Sequence, residues 1–73
     1  MSDKTIFSGD YRRLVQKIAK ARLNAGLTQK ELAEKLGKTQ SYISKIESAQ
    51  ARVDVVQLSR IARALKVPVS DFI

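Results

Sequence analysis

Residues 29–46 read Gln29-Lys30-Glu31-Leu32-Ala33-Glu34-Lys35-Leu36-Gly37-Lys38-Thr39-Gln40-Ser41-Tyr42-Ile43-Ser44-Lys45-Ile46. Leu32, Ala33 and Leu36 fall on one side of a helix, and Gly37, tolerant of positive φ, stops it. Thr28 precedes the stretch with Glu31 three residues on, the reciprocal pair of a capping box. Thr39 then offers a second N-cap, and Ile43 with Ile46 supplies the next apolar stripe. Helices this short are not stable alone in water, so they must be held by packing. Two such helices crossing steeply need a small residue at their approach, here Ala33, a permissive residue in the turn, here Gly37, and branched apolar residues facing back, here Ile43 and Ile46. With those isoleucines inward, the helical rotation turns Ser41, Ser44, Lys45 and Ser48 outward. Gln40 lies at the rim near the helix start, and Tyr42 on the opposite flank.

Working outward, Tyr11, Leu14, Ile18, Ala21 and Ala25 recur at spacings of three and four, which predicts a first helix over about 10–25 closed by Gly26. Residues 1–8 are polar apart from Ile6 and Phe7 and are expected to form a flexible arm. Downstream, residues 49–53 carry no period and read as a loop. Asp54 caps a fourth helix with Gln57 at the reciprocal position; Val55, Leu58, Ile61, Ala62 and Leu65 are its expected buried face, and Pro68 its end. Residues 70–73 have room for one last turn. The expectation is an all-α, compact four- to five-helix bundle forming one domain over 9–73, with a helix-turn-helix at about 28–48.

Composition narrows the function. A chain of 73 residues has a small core and little room for a deep catalytic pocket. With no cysteine and no histidine, it has no disulfide, no thiolate metal site and no imidazole base, and no nucleophile–base set stands out. The expectation is no enzyme, no metal and no cofactor. Fourteen Lys and Arg against seven Asp and Glu give a net charge of +7, which points to a polyanionic partner. No apolar run approaches the roughly 20 residues of a membrane span, and Met1-Ser2-Asp3-Lys4 opens no signal core. The chain is expected in the cytoplasm, without membrane attachment.

The segments Gly26-Leu27-Thr28-Gln29-Lys30-Glu31-Leu32-Ala33 and Gln40-Ser41-Tyr42-Ile43-Ser44-Lys45-Ile46-Glu47 resemble the phage Cro/CI-repressor-type (XRE) family of bacterial and phage DNA-binding domains. The resemblance covers about residues 11–73. It implies a lambda-repressor-like fold whose third helix, about 39–48, enters the DNA major groove. A helix about 10–12 Å across suits a groove about 12 Å wide. The implied function is sequence-specific double-stranded DNA binding by a transcriptional regulator, on the bacterial or phage nucleoid, as a homodimer on a pseudo-palindromic site.

Gln40, Ser41, Ser44 and Lys45 are the candidate base readers: glutamine pairs bidentately with adenine, lysine donates to guanine, and serine takes either role. Gln29, Lys38, Thr39, Tyr42 and Arg52 are candidate phosphate contacts, Gln29 aided by the helix dipole. Tyr42 also suits packing on helix four. The resemblance further implies a structural ion pair between Arg22 and Glu47. Three positions depart from the family pattern: Lys38 where an apolar residue is usual, Ala49 where glycine is frequent, and Val53 where proline is common. The expected dimer surface is residues 67–73 with Val56, unless Val69 and Phe72 close the monomer core instead. No small-molecule ligand is expected within this chain. The competing reading is a protein-interaction module, such as an antitoxin or a coactivator bridging domain.

Overall fold

The computed structural model describes residues 9–73, so the expected arm over 1–8 lies outside the described residues. In chain order the helices are α1 (Gly9–Asn24), α2 (Gln29–Leu36), α3 (Gln40–Glu47) and α4 (Val55–Leu65), followed by a 3-10 turn (Val69–Phe72). Among the described residues there is no strand.

Each start after α1 is set by a side chain named in the sequence. Thr28 Oγ1 accepts the Glu31 N–H at 3.0 Å while Glu31 Oε1 accepts the Thr28 N–H at 2.8 Å. Asp54 and Gln57 repeat the exchange at 2.8 and 3.1 Å. Thr39 Oγ1 accepts the Tyr42 N–H at 3.3 Å. These bonds satisfy amide groups that the first helical turn leaves unpaired.

All four helices end in one device, the Schellman motif, in which two backbone N–H groups fold back on the last carbonyls. At α1, Gly26 bonds Leu23 O and Leu27 bonds Arg22 O; at α2, Gly37 bonds Glu34 O and Lys38 bonds Ala33 O. At α3, Ala49 bonds Ile46 O and Gln50 bonds Lys45 O; at α4, Lys66 bonds Arg63 O and Val67 bonds Ala62 O. The pivot residue needs positive φ. Gly26 (75°) and Gly37 (67°) supply it without strain, whereas Ala49 (64°) and Lys66 (60°) hold it against their own Cβ atoms. The left-handed Lys66 therefore ends α4 at Leu65, short of the stop expected at Pro68.

Val15 and Ile18 of α1, Leu32 and Ala33 of α2, Ile43 and Ile46 of α3, Leu58, Ile61, Ala62 and Leu65 of α4, and Phe72 make the core. Two members of the expected stripes are corrected. Ala25 lies exposed in the turn after α1, one turn beyond the last packed position, and Val15 fills the core instead. Val55 is 69% exposed, because it is the first residue of α4, a turn before the buried Leu58. Phe72, 4% exposed, seals the end of the bundle against α1 and α4, so it belongs to the monomer core and not to a dimer surface. Tyr11 Oη donates to Ala51 O at 2.6 Å and ties the start of α1 to the α3–α4 loop.

Candidate nucleic-acid interface

The α2–α3 unit is rigid because its two sides meet through residues with no slack. Leu32, Ala33, Ile43 and Ile46 are each at most 1% exposed, and the turn between them is pinned by Gly37 and Lys38 bonding back to α2. What the isoleucines bury fixes what α3 presents. Gln40, Ser41, Ser44, Lys45 and Ser48 are all exposed, on the side opposite Ile43 and Ile46. Thr39 is exposed at the helix start, where its oxygen accepts the capping N–H and its hydroxyl hydrogen remains to donate outward. Glu47 is the one acid in α3, and it is turned away.

Glu47 is the centre of a network the sequence disclosed only in part. Arg22 Nε donates to Glu47 Oε2 at 2.8 Å and Arg22 Nη2 to Oε1 at 3.1 Å, a bidentate pair; Arg22 Nη1 donates to Leu27 O at 2.8 Å. The two side chains are 11% and 7% exposed. The same Glu47 Oε1 also accepts Gln29 Nε2 at 3.0 Å. The pair implied by the family resemblance is thus present, with Gln29 as a third member. Gln29 sits at the start of α2 with one amide N–H committed to Glu47 and a second left to donate. α1, the α1–α2 turn, α2 and α3 are all joined here, so the orientation of Gln29 is set from the core. No local pattern foretold the Gln29–Glu47 bond, which spans 18 residues of sequence.

Tyr42 is half-buried beside Leu36, Lys38, Gln57 and Arg60, with Lys38 Nζ 5.3 Å from its ring centroid. Its ring packs toward α4, one of its two expected roles. Burial pushes its phenol pKa up, the Asp54 charge adds to this, and Arg60 opposes it, so the hydroxyl stays a donor at neutral pH. The Lys38 departure from the apolar pattern is met by this cation–π contact. Arg52 is exposed in the loop between α3 and α4, whose path is held by the left-handed Ala49 where the family often has glycine. Among the described residues no helix is long and apolar enough to cross a membrane.

Residues 18–72 match the model of the helix-turn-helix family. An XRE-family-like protein from Pseudomonas syringae pv. tomato is 38% identical, with a TM-score of 0.86 over 97% of this chain and 87% of that one. The restriction-modification controller protein C.AhdI from Aeromonas hydrophila is 28% identical, with a TM-score of 0.82 over 88% of this chain and 93% of that one. A comparison with curated proteins returns no match. The paired capped helices, the polar outer edge of α3 and these likenesses agree: the chain belongs to the XRE-type, Cro/CI-repressor-like helix-turn-helix family of DNA-binding transcriptional regulators.

Proposed function

We propose that this chain reads a specific double-stranded DNA sequence as a homodimer, with α3 in the major groove of each half-site. The reading rests on the two sides of α3: Ile43 and Ile46 are each 1% exposed, and the opposite edge is polar, exposed and without an acid. Gln40, Ser41, Ser44 and Lys45 are the base readers. Gln40, near the helix start, reaches deepest, as recognition helices contact bases with their N-terminal residues. Gln29, Lys38, Thr39, Tyr42 and Arg52 engage phosphates and set the register without reading sequence. Glu47 holds the amide of Gln29 in place for its phosphate.

The dimer forms through the C-terminal segment with Val56, and sets the two α3 helices about 34 Å apart, one turn of duplex. Ile73 (84% exposed) and Val56 (57%) are the apolar groups available for it once Phe72 is assigned to the core. Selection of duplexes from a random pool tests the proposal. A pseudo-palindromic motif with half-sites one turn apart is the expected result. Enrichment of no motif, or of an unpaired half-site, contradicts it.

A further inference from the structure

The C-terminal ends of α2 and α4 enclose an open groove of about 480 Å³ lined by Lys35, Leu36, Arg60, Arg63, Ala64 and Lys66. Four of these six residues are cationic and none is acidic. All four cations are exposed, while Leu36 and Ala64 are half-buried and form an apolar floor. The ion pairs present among the described residues, Arg13 with Asp10 and Arg22 with Glu47, involve none of them. The helix dipoles account for part of this, since Lys35 and Arg63 sit in the last turns of α2 and α4, where positive charge is favoured. They do not account for Arg60, which lies mid-helix, or for four like charges gathered around two apolar side chains.

We infer that this groove docks an acidic segment of a partner protein, with an apolar side chain of that segment seated on Leu36 and Ala64 between carboxylates held by the four cations. Charge complementarity selects the acid. The apolar floor favours a peptide, whose aliphatic side chain fills it, over a nucleic-acid backbone, whose apolar surface is limited to the sugar edges. Position agrees: Gln29 and Leu36 are the two ends of α2, roughly 10 Å apart along its axis, so the groove lies away from the start of α2. Its volume suits one or two side chains. It adjoins the Tyr42 cleft through the shared Leu36 and Arg60, and none of its own residues is on α3.

The test is fluorescence anisotropy of the full chain with a short labelled peptide of alternating Asp, Glu and Leu, at about 0.15 M salt, where remote charges are screened. The variant is Lys35→Gln/Arg63→Gln, two exposed positions whose exchange leaves the core untouched. The expected result is saturable binding that weakens at least about tenfold in the variant. Binding also weakens when the peptide leucines become serine, and affinity for a random duplex stays within about threefold of the parent because neither Lys35 nor Arg63 is among the proposed phosphate contacts. Failure of the peptide to bind, equal binding of the serine peptide, or an equal loss of peptide and duplex affinity each overturns the inference; the last assigns the groove to DNA. The peptide signal is read without DNA, so it stands or falls separately from the proposed function.

Discussion

Removing the Glu47 side chain is the most informative single perturbation of this fold. In Glu47→Ala, Arg22 keeps one acceptor, Leu27 O, and loses both carboxylate bonds, and Gln29 loses its partner. With the Arg22 side chain 11% exposed, water does not fully replace what is lost. Breaking a buried pair from one side costs about 3–5 kcal/mol. A domain of this length is stable by only about 4–11 kcal/mol, and each kcal/mol moves Tm by about 4–8 °C, so a fall in Tm of about 12–40 °C is expected. Urea melts followed by helical circular dichroism, repeated for Arg22→Ala and for the double variant, give the coupling. The double variant is expected to cost no more than either single one, because no lone charge is left behind. A single-variant loss under about 1 kcal/mol, with additive effects, would place the pair among surface ion pairs and refute the reasoning.

The Schellman pivots make a second set. Ala49→Gly and Lys66→Gly each relieve a left-handed Cβ and are expected to stabilise by about 0.5–1 kcal/mol, net of the added freedom of the unfolded chain. Gly37→Ala is expected to destabilise by about 1 kcal/mol through backbone strain alone, since a Cβ there meets nothing within 4 Å; the same urea melts decide all three. The backbone and hydroxyl of Thr28 hold the Glu31 carboxyl below its ordinary pKa, so the stability it adds is complete above the usual glutamate range and disappears as pH falls through the lowered value. Wild type should therefore exceed Glu31→Gln in Tm at pH 7 and converge with it in acid; a gap that stays constant with pH contradicts this. If Lys38 and Arg52 of each protomer meet phosphate, raising salt from about 50 to 200 mM weakens operator binding roughly 150-fold, and Lys38→Ala flattens that slope by about half. A slope unchanged by Lys38→Ala removes it from the contact set.

How far the sequence disclosed this molecule depended on whether each signal was local. Capping pairs at 28 and 31 and at 54 and 57 are three residues apart and make the bonds their chemistry implies. Gly26 and Gly37 announce their turns because glycine is the residue that adopts positive φ freely. Ala49 and Lys66 perform the same role silently, since nothing in an alanine or a lysine signals a left-handed backbone. Val55 matched the α4 period and yet is exposed, because periodicity does not say how far along a helix its neighbours extend. Phe72 had to be core or interface, and its packing on α1 and α4 decided between them. The Arg22–Glu47 pair came from the family resemblance. The Gln29–Glu47 bond and the basic groove between α2 and α4 depend on residues far apart in sequence, which only the packing of the helices brings together.

Whether the exposed rim of α3 chooses the DNA sequence is best decided by selecting bound duplexes from random pools in parallel with wild type, Gln40→Ala and Gln29→Ala. Wild type should return a two-fold-related motif. Gln40→Ala should lose preference at the same base pair in each half, and Gln29→Ala should keep the motif while binding all duplexes more weakly. An unaltered motif with Gln40→Ala, or equal losses on cognate and random DNA for both variants, would contradict the account.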